Sequence, residues 1–281
     1  MEVRTDTGGV QALPYDLKIS DLLRQFGVRV NENMVQDLNA SVIPVRAENN
    51  QIQLKPWTFH PLLNTFSDHI ITKNLGPLLS KNIGTVDSVK ADGVIKTPLV
   101  FTSKYTRVKG APVVYSVEEL RINTDENYYP QSNLPVAYLL EGTFSSMFEH
   151  RPKPKNINTD NFRASGDQGK VVVCSDGDII LNEIDQQSGR PYPLGVNRFS
   201  RKQYDNKKFL ENTVNYMVDE SGVTQLRAKE FHLRPLDEFM IDDANEKLRW
   251  QLINMLGPLV VIIIFGVARY YLRKVRYTRF K

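Results

Sequence analysis

WQLINMLGPLVVIIIFGVA, from Trp250 to Ala268, is a run of 19 residues without a charge. At about 1.5 Å of rise per residue a helix of this length covers roughly 28 Å, close to the thickness of a bilayer's hydrocarbon core. Tyr270, Tyr271 and Leu272 prolong the apolar surface, and Arg269 can snorkel to the headgroups. Trp250 at one end and Tyr270 and Tyr271 at the other form an aromatic belt, with Phe265 between them in the anchor. Gln251, Asn254 and Pro258 also suit a buried core helix; the belt and the basic tail favour lipid. A spanning helix tolerates Pro258 if local distortion satisfies the freed carbonyl, and a kink is expected there.

The flanks set the expected orientation. From Arg269 onward stand Arg269, Arg273, Lys274, Arg276, Arg279 and Lys281, with no acidic residue. Between Arg234 and Arg249 there are three basic residues and five acidic ones. The basic excess predicts a cytoplasmic C-terminus and an extracytoplasmic body. The expected division is therefore 1–249 as an extracytoplasmic domain, 250–272 as the transmembrane helix and 273–281 as a basic cytoplasmic tail. The opening MEVRTDTGGVQALPYDL has neither an apolar h-region nor a cleavage pattern. An exported body then predicts that the chain is a fragment whose export segment lies upstream.

Composition narrows the classes. Of 281 residues 41% are hydrophobic and 24% charged, which excludes wholesale disorder and collagen-like repeats. The formal charge of +4 hides an asymmetry: 36 Lys and Arg less the six of the tail leave 30 against 32 Asp and Glu, a net of −2. The body supplies no basic surplus, so nucleic acid is not an expected partner. A single cysteine, Cys174, excludes an internal disulfide and a cysteine-rich zinc module.

Within the body the pattern reads as mixed α and β. Ile19 to Gly27 predicts a helix capped by Ser20 or Asp21 and closed by a left-handed Gly27. Short strands are expected at 28–30, 42–45, 98–102, 112–117 and 135–140. The last of these is expected to end at Glu141-Gly142. Residues 56–66, rich in aromatics and proline, read as a packed loop, and 123–133 and 151–169 as a polar loop and a linker. The run 170–175, KVVVCS, reads as a central strand covered on both faces. Residues 205–221 predict a helix capped by Asp205, with Leu210, Val214 and Met217 on its buried face and Gly222 as C-cap. A strand over 223–229 and a helix from 235 leading into the span complete the reading.

Little of the chemistry stands out. Cys174 at a strand end suits a nucleophile only with a histidine nearby, and His60, His69, His150 and His232 sit in no recognised pattern. Asp176-Gly177-Asp178 suits a cation or an oriented base; a turn with an aspartate cap explains it more simply. Asn39-Ala40-Ser41 fits a glycosylation sequon. The aromatics at Trp57 and Phe59 suit a groove or, better, core packing. There is no HExxH, GxxxxGK[ST], GxSxG or GxGxxG, so no zinc protease, no P-loop ATPase and no dinucleotide motif.

Several stretches resemble, in order, the gliding-motility-associated ABC-transporter auxiliary (substrate-binding-like) protein family, GldG, of the Bacteroidetes type. They include Leu13-Pro14-Tyr15-Asp16-Leu17, Phe26-Gly27-Val28-Arg29, Val35-Gln36-Asp37-Leu38-Asn39, Ile71-Thr72-Lys73-Asn74-Leu75, Lys96-Thr97-Pro98-Leu99 and Gly110-Ala111-Pro112-Val113. Asn133-Leu134-Pro135-Val136-Ala137, Leu140-Glu141-Gly142, Val173-Cys174-Ser175-Asp176-Gly177-Asp178, Pro193-Leu194-Gly195, Asn215-Tyr216-Met217, Leu226-Arg227-Ala228-Lys229-Glu230 and Trp250-Gln251-Leu252-Ile253-Asn254 follow. The resemblance covers the C-terminal part of that family's longer protein. It implies an exported α/β domain resembling the flavodoxin or amidotransferase-like folds, incomplete at its N-terminus, followed by one transmembrane helix. It further implies a non-enzymatic, non-ATPase subunit in the bacterial inner membrane. Its partners would be a permease subunit, a cytoplasmic ATPase and membrane lipid, with no cofactor, metal or catalytic residue. The alternatives are a membrane-anchored amidotransferase- or hydrolase-like enzyme using Cys174 or Asp176/Asp178, and a purely structural envelope docking protein.

Overall fold

The computed structural model describes residues 2–6, 9–15, 17–46, 50–115, 125–149, 151–153, 160–219 and 244–278. The chain divides into two compact units, Met1–Glu230 and Phe231–Lys281. The expected strand at 223–229, the Gly222 cap and the helix start at 235 lie outside the described residues.

The first unit is dominated by antiparallel sheet. Its centre is a four-stranded sheet in the order β14 (Ser165–Cys174), β13 (Pro135–Ser145), β10 (Val94–Phe101), β7 (Thr65–Phe66). β13, inside the sheet order, is covered on both faces, and β14 also packs Val172 and Cys174 on one cluster and Val171 and Val173 on the other. Leu139 and Ala137 join one apolar cluster, with Leu63, Leu99 and Phe209. Tyr138 and Leu140 join a second, with Val28, Val86 and Val173. Alternate side chains of a strand point to opposite faces, so a strand buried on both reads as a continuous apolar run. KVVVCS has such a run but lies in β14, at the end of the sheet order.

Smaller sheets surround this one. β1 (Glu2–Asp6) pairs with β2 (Gly9–Leu13), and β2 with β12 (Val113–Tyr115). β3 (Val28–Val30) pairs with β9 (Val86–Ser88), and β4 (Asn33–Asp37) with β11 (Thr106–Gly110). β5 (Ala40–Arg46) pairs with β6 (Ile52–Leu63), which also pairs with β8 (Leu78–Leu79). Every described pairing of named strands is antiparallel. A flavodoxin- or amidotransferase-like domain is built on a doubly wound parallel sheet. That part of the fold expectation is therefore corrected. The mixture of sheet and helix, followed by one apolar C-terminal helix, stands.

The packed loop expected at 56–66 is instead most of β6 and β7. Pro56 and Pro61 disguise it. They pair with Val42 and Ala40 at the two edges of an irregularity in the β5–β6 ladder. A proline costs a strand least at such a break, where its missing N–H breaks no ladder bond.

Two α-helices stand among the described residues of this unit. α1 (Ser20–Phe26) closes with Gly27 at φ 99°, as expected, but its N-cap is Ile19 and carries no side-chain cap bond. α2 (Asn206–Val218) buries Asn206, Phe209 and Thr213. Val214 and Met217, expected inside, are exposed at 50% and 39%. Three apolar residues at helical spacing do not say which stripe faces the core, and the sheet selected the neighbouring one. Tyr216 extends that stripe: its Oη donates to Glu141 Oε1 (2.8 Å), while Lys170 Nζ donates to the Tyr216 carbonyl (3.0 Å).

The second unit contains α3 (Ala244–Thr278), one continuous helix of 35 residues that passes through Pro258. It crosses both expected boundaries, at 249/250 and at 272/273, without a break.

Candidate functional site

Cys174 ends β14 with its side chain against the main apolar cluster. Burial pushes its thiol up to about 12, outweighing the backbone N–H groups that favour the thiolate. A thiol so raised is protonated at neutral pH and is a poor nucleophile.

Asp176 is engaged by backbone donors, and the charge of Asp178 adds to the upward push of desolvation on its pKa. Asp176 is buried and caps the short 3-10 turn Gly177–Ile180: its Oδ1 accepts from the Asp178 N–H (2.8 Å) and its Oδ2 from the Lys81 N–H (3.0 Å). It is a staple between two loops 95 positions apart. Desolvation raises its pKa to about 6, against the opposing effect of those two donors. A carboxyl with a folded pKa above the ordinary 3.8 binds its proton more tightly in the native state. Its contribution to stability is therefore fully present below about pH 4 and is lost as pH rises through 6. The stability of the wild type relative to an Asp176→Asn variant is expected to fall by ~2 kcal/mol between pH 4 and pH 6. Urea titrations at several pH values read it, and a constant difference contradicts it.

After this staple the chain makes an excursion, 181–205, with no strand or α-helix, yet pinned throughout. Loops this long are uncommon in compact domains and are frequently functional. Asn197 is buried; its Nδ2 donates to the Val42 carbonyl (3.1 Å), and its Oδ1 accepts from the N–H groups of Phe199 (2.9 Å) and Ser200 (3.2 Å). Asn206 is buried as well. Its Oδ1 accepts from Leu79 N–H (2.9 Å), and its Nδ2 donates to the carbonyls of Leu79 (2.8 Å) and Ile179 (2.9 Å). Gly195 takes φ 83°, where a Cβ would lie 2.6 Å from the Tyr204 carbonyl oxygen. Lys81 pairs with Glu183 Oε1, and Arg198 Nε lies 3.3 Å from Glu183 Oε2.

Between the excursion and β8 lies a shallow pocket of about 90 Å³, with Leu79, Lys81, Asp178, Leu181, Glu183 and Val196 in its wall. Its volume suits one small group or side chain rather than a cofactor. No group of three His, Cys, Asp or Glu is placed to hold a metal ion among the described residues.

The remaining sequence candidates are packing residues. Phe59 is fully buried and its ring lies 5.2 Å from that of Trp57. Burial, and then the charge of Lys81, lowers His60 to about 4. His69 packs edge-on against Tyr216, 4.9 Å between ring centroids. Asn39 Nδ2 donates to the Leu62 carbonyl (2.8 Å), which occupies the sequon's amide. His150 and His232 lie outside the described residues.

Asp37 escapes sequence reasoning. It is fully buried and accepts from Ser103 N–H (2.8 Å), Ser103 Oγ (2.6 Å), Thr106 Oγ1 (3.2 Å) and Asn39 N–H (2.8 Å). Only the Asn39 contact is local, and Asp37 to Asn39 reads as an ordinary turn. Desolvation raises its pKa despite these donors.

In α3, residues Gln251–Arg276 form a segment long and apolar enough to cross a membrane; its most apolar stretch has mean hydropathy 2.2 and none of that stretch is buried. Trp250 immediately precedes this segment within the helix, and Pro258 lies inside it. Phe265, Tyr270 and Tyr271 are exposed, the two tyrosine rings edge to face at 5.8 Å. Arg269, Arg273, Lys274 and Arg276 are exposed in the same helix. Arg279 and Lys281 lie outside the described residues.

The described residues thus form a β-rich body with stapled loops and, in the second unit, one long apolar helix. The model of the ABC-type uncharacterized transport system auxiliary family matches residues 1–213, and the chain belongs to that family. The match ends within α2, before the apolar helix. No curated protein and no solved structure matches the chain.

Proposed function

We propose that the chain is a non-ATPase, membrane-anchored auxiliary subunit of a bacterial ABC transporter associated with gliding motility. It works beside a permease subunit and a cytoplasmic ATPase in the inner membrane. Residues 1–249 lie outside the cytoplasm, 250–272 span the bilayer and 273–281 meet anionic lipid from the cytoplasmic side. The observation that carries this reading is the family match over residues 1–213. The unburied apolar segment Gln251–Arg276 supports the anchor, and the six basic residues from Arg269 onward support the orientation. The absence of GxxxxGK[ST] supports a subunit that leaves ATP to a partner. The gliding association rests on the resemblance to the GldG family.

The test is purification of the membrane complex through a tag on this chain. Co-purification of a permease and an ATPase is expected, and their absence removes the proposal's main support. Alkaline carbonate is expected to leave the chain in vesicles.

The enzymatic alternative has a specific prediction against it. Cys174, its thiol raised by burial, is expected to resist iodoacetamide at mildly alkaline pH in the native protein and to react fully once urea unfolds it. Rapid native alkylation, read by mass spectrometry, would reopen a thiol chemistry.

A further inference from the structure

The excursion after β14 displays a surface that its own folding does not need. Ile180, Leu181 and Ile184 are exposed at 51%, 63% and 60%, three large aliphatics within five residues. Leu181 and Glu183 form part of the wall of the 90 Å³ pocket. Water contact with so much aliphatic surface is unfavourable, and such patches on soluble bodies commonly mark binding sites. The backbone beneath is held by Asp176, Asn197 and Asn206, so the patch is presented by a preorganised loop. Preorganisation lowers the entropic cost of binding.

The excursion is net basic, although part of that charge is met within the loop: Arg198 lies against Glu183, and Arg201 acts on Asp185. From Gln186 to Tyr204 there are four cations, Arg190, Arg198, Arg201 and Lys202, and no carboxylate. Arg198 stacks over the ring of Phe199 at 4.6 Å and Arg201 over Tyr192 at 5.5 Å, contacts that hold the guanidinium groups near the loop. Carboxylates are interleaved at the pocket: Asp178 and Glu183 in its wall, and Asp185 close by in sequence.

We propose that this surface, Ile180 to Lys202, docks an acidic segment of a partner protein and seats one of its aliphatic side chains in the pocket. A protein segment fits better than an anionic bilayer. The pocket is sized for one side chain, and a sheet of phosphates would press on Asp178 and Glu183, whereas a polypeptide can place each charge separately. The surface belongs to the described body and does not depend on the ABC reading.

The test uses the full chain in neutral detergent micelles with three labelled peptides: alternating leucine and glutamate, leucine and lysine, and serine and glutamate. The leucine–glutamate peptide is expected to bind, more weakly as salt rises, and at least about tenfold more tightly than the others. Leu181→Ser and Ile184→Ser, both at exposed positions, are expected to weaken it. The double variant Arg190→Glu/Lys202→Glu is expected to shift preference to the leucine–lysine peptide, a gain that misfolding cannot imitate. Equal binding of all three peptides, or indifference to all the variants, overturns the proposal. So does trypsin protection of Arg198–Lys202 in anionic but not neutral nanodiscs without peptide, which assigns the surface to lipid.

Discussion

Gly142→Ala is expected to be among the most damaging single-methyl substitutions in this chain. Gly142 sits inside β13 at φ 148°, and a Cβ there would lie 2.0 Å from the Gly93 carbonyl oxygen and 3.0 Å from two more backbone atoms. Those neighbours are main chain, so no side-chain rotation relieves the contact. Backbone strain and overpacking together cost on the order of 3–5 kcal/mol, a large share of a typical domain's stability. Circular dichroism melts should show a fall of roughly 10 °C or more, or loss of soluble protein. Gly177→Ala is the control: nothing lies within 4 Å of its Cβ position and its φ is ordinary. A melting temperature for Gly142→Ala within about 2 °C of the wild type would contradict the close crossing of β13 over Gly93.

Replacing Asn206 by alanine is expected to cost roughly 2–4 kcal/mol, because it removes partners from three buried backbone groups at once: the N–H and carbonyl of Leu79 and the carbonyl of Ile179. The loss should loosen the excursion, read as faster amide exchange at Leu79 and Leu181. Asn206→Asp separates the roles. Its carboxylate still accepts from Leu79 N–H but faces two carbonyl oxygens where the native amide donates. It is therefore expected to be at least as destabilising as alanine at neutral pH. It should recover part of the loss as pH falls, because a protonated carboxyl donates once. If the Asn206→Asp variant is as stable as the wild type at neutral pH, the amide is not a structural donor.

These two residues illustrate how much is legible. In the sequence Gly142 reads as the end of a strand. The strand instead runs on to Ser145, because the glycine is there to admit the Gly93 carbonyl. Asn206 carries no local signal: its partners Leu79 and Ile179 are 127 and 27 positions away. The same kind of separation hides Lys81 from Glu183, 102 positions apart. Val28–Val30 and the Gly27 cap are readable because adjacent residues decide them. The apolar stripe of α2 misleads because Leu210, Val214 and Met217 match the helical period as well as Asn206, Phe209 and Thr213 do. KVVVCS misleads because apolar content measures burial, not position in a sheet.

The sequence alone determined the apolar helix and the basic run after it. Both are local sums of transfer free energy and charge, and neighbours elsewhere in the chain do not alter them. Within the given residues it also excluded a P-loop motif and an internal disulfide, which need residues that are not present there. Tertiary structure alone decided that the described strands pair antiparallel, that β13 rather than β14 lies inside the sheet order, and that Asp176, Asn197 and Asn206 are staples. Those outcomes depend on which distant backbone groups must be satisfied once water is excluded. Such a requirement exists only in the folded chain.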